Sequence, residues 1–158
     1  MKSKLKIYII GILIPLLVGG LSALLTSGSM DIYSSIITPP LSPPSILFPI
    51  VWTILFILMG ISSAMIYTTE TSPLPQRKSA LYTYALSLIF NFFWSIIFFN
   101  FRAFFFAFLW LVLLLYLIIN TILKYYKIRP LAAYLQIPYA IWVSFAGYLT
   151  LAIWYLNR

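Results

Sequence analysis

Thr38-Pro39-Pro40-Leu41-Ser42-Pro43-Pro44, followed closely by Phe48-Pro49-Ile50-Val51-Trp52-Thr53-Ile54-Leu55-Phe56, is the stretch that decides how this chain folds. Proline locks φ and removes an N–H donor, so the first part cannot lie inside a helix or a central strand. Pro43 and Pro44 nevertheless suit the first turn of a helix, where N–H groups have no intrahelical partner. The residues that follow are apolar on every side. A stiff loop therefore runs into a helix that water does not surround, and Trp52 sits about two turns inside it.

Working outward, the whole chain shares this character. Of its 158 residues, 63% are hydrophobic and only 8% charged, with a mean hydropathy of +1.04. Soluble domains carry about 25% charged residues, so this chain has too little polar surface to face water. A membrane-crossing helix needs roughly 20 apolar residues. Five segments meet that length, over 5–26, 44–67, 79–99, 102–125 and 131–155, with an outer loop over 27–43. Strands of a membrane barrel alternate apolar and polar residues, whereas these segments are apolar all round. The expected fold is an all-α membrane protein, one bundle of five transmembrane helices forming a single domain over 1–158.

The basic start, Met1-Lys2-Ser3-Lys4-Leu5-Lys6, also fits a signal peptide. The apolar run continues to Leu25, beyond the usual length, so the first segment reads as a retained span. Five spans place the two termini on opposite sides. Lys2, Lys4, Lys6, Arg77, Lys78, Lys124, Lys127 and Arg129 fall on the side of the N-terminus, and Arg102 and Arg158 on the other. Lys and Arg in short loops favour the cytoplasm. The chain is therefore expected in the cytoplasmic membrane with its N-terminus inside and its C-terminus outside, so that Asp31 and the proline-rich loop face outward. The net charge of +8 is explained by this topology, and no nucleic-acid partner is expected.

Absences narrow the chemistry. Without cysteine there is no disulfide or thiolate metal site, and without histidine the commonest metal ligand and near-neutral acid–base group are missing. No Asp, Glu or His lies inside an expected span, and the only Lys and Arg within the span bounds, Lys6, Arg102 and Lys124, stand at span ends. Ion-coupled pumps bury such groups despite their cost, and general acid–base catalysis requires them. No catalytic residue and no metal ligand is assigned, and no cofactor is required.

Helical spacing gathers the aromatic residues onto faces. Phe48, Trp52 and Phe56 share one face of the second span, Asn91, Trp94 and Phe98 one of the third, and Tyr139, Trp142 and Ala146 one of the fifth. At about 1.5 Å per residue, all three faces reach the outer half of the bundle. Such rings also simply pack a bundle interior. Converging beneath the proline loop, they would instead line a flat-walled apolar cavity suited to a flat hydrophobic ligand. Asn91 either bonds across helices or points at that ligand. Trp110 reads as lipid-facing, and Trp154 with Tyr155 as an interfacial belt. Gly60 and Ala64 form a small-xxx-small pair that could serve a dimer face.

These residues resemble the tryptophan-rich sensory protein (TspO) family, whose animal members are the translocator proteins or peripheral benzodiazepine receptors. The resemblance runs from Asp31 to Asn157. It rests on Pro39-Pro40-Leu41-Ser42-Pro43-Pro44, Phe48 to Phe56, Leu58-Met59-Gly60, Asn91-Phe92-Phe93-Trp94-Ser95, Ile137-Pro138-Tyr139, Phe145-Ala146 and Ala152-Ile153-Trp154. It implies a five-helix bundle, commonly a homodimer. It also implies binding of tetrapyrroles such as protoporphyrin IX or haem, and of sterols and benzodiazepine-type drugs, in a pocket closed by the first loop. Carried over by motif position, the ligand-binding residues are Tyr33, Pro43, Pro44, Phe48, Trp52, Asn91, Trp94, Phe98, Phe99, Trp142, Phe145 and Ala146. Trp52 and Trp142 are the expected walls and Asn91 the polar contact.

Leu41 stands where an aromatic residue is common in the family and Ile32 where tryptophan is frequent, and these lost rings should weaken stacking on a macrocycle; Thr150 stands where asparagine is usual. Leu151, Tyr155 and Arg158 fit a permissive pattern proposed for cholesterol contact. The expected function is a membrane sensor or binding protein for flat hydrophobic ligands. Light-dependent oxidative breakdown of bound protoporphyrin and passive carriage of hydrophobic ligands are the alternatives.

Overall fold

The structure, a computed structural model, describes residues 2–29 and 32–158, with the backbone alone for Lys2, Ser29, Ile32 and Tyr33. Asp31 and the side chain of Tyr33 thus lie outside the described residues. Helix α1 spans Lys2–Thr26 and leads through a 3₁₀ turn, Ser27–Ser29, to the short α2, Ile32–Ser35. Then come α3 (Leu47–Tyr67), α4 (Leu74–Ser95), α5 (Phe104–Ile128) and α6 (Pro130–Asn157). All of these except α2 are long and apolar enough to cross a membrane, making the five-helix bundle of a multi-pass membrane protein.

The helix starts differ by one to five residues from those read off the sequence, and proline explains two of the differences. Helix α3 begins at Leu47 rather than 44, because Pro44 belongs to the turn before it: the Leu47 N–H donates to the Pro44 carbonyl at 3.0 Å. Leu41, at φ 69°, makes the left-handed step in the preceding loop, a region that residues with a Cβ rarely enter. Helix α4 begins at Leu74 rather than 79. Pro73 is its N-cap and Pro75 lies in its first turn, where a missing N–H costs no hydrogen bond. Arg77 closes the turn between α3 and α4 by donating to the Tyr67 carbonyl (2.7 Å) and the Ser72 carbonyl (3.0 Å), free acceptors beyond a helix C-terminus.

The helices form a closed ring in the order α1, α3, α6, α5, α4, with α1 resting mainly on α3 and only lightly on α4. The α1–α3 contact is made by glycine. A methyl group at Gly60 would overlap the backbone of Gly11 and Ile12, and one at Gly11 would lie 2.9 Å from the Gly60 carbonyl oxygen and 3.3 Å from the Ala64 Cβ. In lipid, helices gain little from hydrophobic contact with each other, so small residues that let backbones approach are what joins them. Gly60 and Ala64 are therefore covered by α1 of the same chain and offer no face to a second copy.

The half of the bundle nearest the α3–α4 and α5–α6 turns, the inner half of the expected topology, is solid. Ser63 and Tyr125 share a hydroxyl hydrogen bond of 2.8 Å between α3 and α5. Ser62 donates to the Ala132 carbonyl (2.7 Å) and accepts from the Gln136 amide (3.3 Å), joining α3 to α6. Tyr84 packs its ring 6.4 Å from that of Tyr125. Tyr84, Tyr125, Tyr139 and Gln136 are all buried. Together they make a floor across the bundle.

Candidate functional site

Above this floor the helices stand apart and leave a partly open cavity of about 170 Å³. Its aromatic wall is Phe48, Trp52 and Phe56 from α3 and Trp94, Phe98 and Phe99 from the C-terminal end of α4 and the turn that continues it. Helix α6 contributes Ala146, Leu149, Thr150 and Ile153, and α1 contributes Gly19, Ser22, Ala23 and Thr26. Among the described residues of the lining there is no tyrosine, no charged group and no metal ligand. A flat guest would be held by ring contact and burial.

Two features of the chain put these rings in place. At Ile96–Asn100, α4 widens into a π-helical turn in which the Phe101 N–H reaches back to the Ile96 carbonyl at 3.2 Å. The added residue lets the adjacent Phe98 and Phe99 both border the cavity; π-turns of this kind recur at functional sites. On α3, Trp52 stacks on Phe56 (centroids 5.5 Å, 27°) and meets Tyr139 edge-on at 6.3 Å. The Asn91 amide donates to the Tyr139 hydroxyl at 3.0 Å. Asn91 thus bonds across helices, tying α4 to α6, and it also belongs to the cavity lining.

The structure brings Phe48, Trp52, Asn91, Trp94, Phe98, Phe99 and Ala146 to one void. Pro43, Pro44, Trp142 and Phe145 lie off its described lining. Trp142 sits at the edge of the inward face of α6, where it fills the α3–α6 seam by packing edge-on against Phe48 (5.9 Å, 63°) and against Phe145 (5.7 Å). It therefore supports Phe48 from behind rather than facing Trp52 across the void. Trp110 is half-buried, stacked on Phe90 at 4.4 Å with its N–H donated to the Phe90 carbonyl at 2.7 Å, so it is a packing residue between α4 and α5 rather than a lipid-facing one.

The wall from α1 is what the sequence reading missed. Gly19, Ser22, Ala23 and Thr26 fall at i, i+3, i+4 and i+7, a stripe of small residues along one helix face that would have flagged it. Two of its hydroxyls are already engaged: Thr26 donates to the Ser22 carbonyl at 2.9 Å, and Ser22 makes a long contact with the Phe92 carbonyl at 3.5 Å. Thr150 likewise donates to the Ala146 carbonyl at 2.7 Å. Trp94 differs, since its indole N–H is buried without a protein acceptor. A donor left in that state costs about 1–3 kcal/mol.

The connection between α2 and α3 is strapped to α6. The Asn157 side chain accepts from the Ile37 N–H (2.9 Å) and donates to the Ile37 carbonyl (2.8 Å), and the Tyr148 hydroxyl donates to the Pro40 carbonyl (2.7 Å). Ile36 packs on the cluster of Ile97, Phe98, Ala107 and Ile153, where the C-terminal ends of α4 and α6 meet the N-terminal end of α5. The strap thereby passes over the end of the bundle that holds the cavity.

Comparison with known proteins agrees with this architecture. The model of the TspO/MBR family matches residues 11–156. The chain is 36% identical over 125 residues to the tryptophan-rich protein TspO of Chlorobaculum tepidum, covering 79% of this chain and 78% of that one. It is 32% identical over 143 residues to protein CrtK of Rhodobacter capsulatus, covering 88% and 85%, and 32% identical over 147 residues to the translocator protein of Bos taurus, covering 92% and 87%. With the five-helix bundle and this nearly full-length match, the chain belongs to the TspO/MBR family.

Proposed function

We propose that this protein is a membrane receptor or sensor for flat hydrophobic ligands, tetrapyrroles such as protoporphyrin IX or haem foremost, held in the cavity between α1, α3, α4 and α6. The observation that carries the reading is the aromatic wall of Phe48, Trp52, Phe56, Trp94, Phe98 and Phe99 around one void. Rings from two helices offer flat faces to a planar guest. The names of relatives, translocator protein and tryptophan-rich sensory protein among them, accord with a membrane protein that takes up small molecules or responds to them.

Size sets the mechanism. An apolar cavity of about 150 Å³ holds a single benzene ring, and ligand pockets run from about 300 Å³ upward. At about 170 Å³ the resting cavity takes one ring of a macrocycle. A tetrapyrrole enters only as the strap and the lightly packed α1 give way, which is how occupancy would change the protein's outer surface. The buried tyrosine floor opposes passage straight through the bundle, so capture and release from one side fit better than carriage across. We place the cavity toward the outside of the cytoplasmic membrane, following the distribution of Lys and Arg.

Titration of purified protein with protoporphyrin IX, followed by quenching of tryptophan fluorescence, tests the reading. Trp52→Ala is expected to weaken binding at least tenfold and Trp142→Phe by less than threefold, because only Trp52 borders the void. Equal quenching in wild type and Trp52→Ala would reject the pocket.

A further inference from the structure

Three glycines of α1 and α3 meet different kinds of neighbour. At Gly60 an added methyl would strike backbone, that of Ile12 and Gly11, so the two helices themselves would have to part. At Gly20 it would meet nothing within 4 Å. At Gly19 it would overlap the ring of Phe56, lying 2.8 Å from Cδ2 and 2.9 Å from Cζ as well as against Cε2. A ring at the end of a side chain can turn where a backbone cannot. The neighbour that yields at Gly19 is therefore Phe56, and its open side is the cavity, which it lines.

Phe56 is also the first member of a row. It stacks on Trp52 at 5.5 Å, Trp52 meets Tyr139 at 6.3 Å, and the Tyr139 hydroxyl is fixed by Asn91 at 3.0 Å. Tyr139 is buried and held at both its ring and its hydroxyl, so one end of the row is anchored. The other end rests on the bare backbone of α1 at Gly19. Close packing means that a shift of about an ångström at one ring is passed to the next rather than absorbed.

We propose that Gly19 is a positioning residue for the ligand site: by leaving room for the Phe56 ring against α1, it sets the orientation of Phe56 and Trp52 and hence the space open to a planar guest. The inference rests on the proposed binding function and adds to it the determinant of cavity size. Any side chain at residue 19 drives Phe56 inward and narrows the slot, while the helix–helix contact at Gly11 and Gly60 is left intact.

Protoporphyrin IX titrations of Gly19→Ala, Gly20→Ala, Phe56→Leu and the double variant Gly19→Ala/Phe56→Leu decide the matter. Gly19→Ala is expected to weaken binding at least tenfold and Gly20→Ala less than twofold. The double variant should return to within twofold of Phe56→Leu, since the smaller, branched leucine leaves room for the new methyl. A merely structural loss would lower the thermal midpoint of Gly19→Ala, with no return of affinity in the double variant. Equal affinities for Gly19→Ala and Gly20→Ala, or independent effects of Gly19→Ala and Phe56→Leu, would overturn the proposal.

A second readout needs no ligand. The near-ultraviolet circular dichroism of the Trp52–Phe56 stack, taken as the difference from Trp52→Phe, should change in Gly19→Ala and not in Gly20→Ala. If wild type binds no porphyrin, the binding function fails, while an unchanged dichroism difference in Gly19→Ala defeats the positioning role separately.

Discussion

In the half of the bundle near the α3–α4 and α5–α6 turns, Tyr84, Tyr125 and Tyr139 fill the space between the helices. In the other half Phe48, Trp52, Phe56, Trp94, Phe98 and Phe99 leave a void. Both regions are rich in rings, so aromatic content does not separate them. Polar handles do. Tyr125 reaches Ser63 and Tyr139 reaches Asn91, and each of these bonds draws two helices together across the centre. Phenyl rings have no such handle. In a bilayer they gain little by leaving lipid for one another, and their bulk props the helices apart. Tyr125 and Tyr139 thus carry hydroxyl bonds across the closed half, whereas the phenyl rings of the open half have no hydroxyl with which to make one.

The largest expected effect lies in the solid half. Tyr125→Ala removes a fully buried ring and strands the Ser63 hydroxyl, and should destabilise the protein by about 3–5 kcal/mol, as large-to-small core changes do. Thermal unfolding in detergent reads this. A loss no greater than that of Trp52→Ala would break the contrast, because Trp52 already borders empty space.

Asn91→Leu tests the boundary between the halves. Hydrogen bonds between membrane helices average about 0.6 kcal/mol, so stability should fall only modestly. Ligand affinity should fall more clearly, because Tyr139 and Trp52 lose their anchor. If stability drops by several kcal/mol while affinity holds, Asn91 belongs to the floor and not to the site.

The smallest effect is expected at the strap. Asn157→Ala removes two exposed hydrogen bonds to Ile37, which water can replace, so global stability should move by less than about 0.5 kcal/mol. Hydrogen exchange at the Ile37 amide should nevertheless quicken several-fold, and porphyrin release with it. Unchanged exchange at Ile37 would show that the strap is held by the packing of Ile36 rather than by the Asn157 clasp.

Much of this was legible without coordinates. The apolar runs announced five spans because a membrane imposes its length and polarity on every segment that crosses it. The faces carrying Trp52, Asn91 and Trp94 followed from the helical period alone. Boundaries were less legible where proline has two roles. The third span reads from residue 79 although Pro73 and Pro75 start α4 at Leu74, since a local sequence cannot say on which side of a proline the helix lies.

By itself, then, the sequence determined the environment, the number of helices and the candidate faces, all properties of one segment at a time. Only the tertiary structure decided that Trp142 buttresses Phe48 while Trp52 borders the void, that Gly60 binds α1 rather than another copy, and that Gly19 gives Phe56 its place. These depend on which helix stands beside which and at what rotation. Closeness between segments distant in the chain is fixed by packing, where a single methyl group decides whether a ring fits.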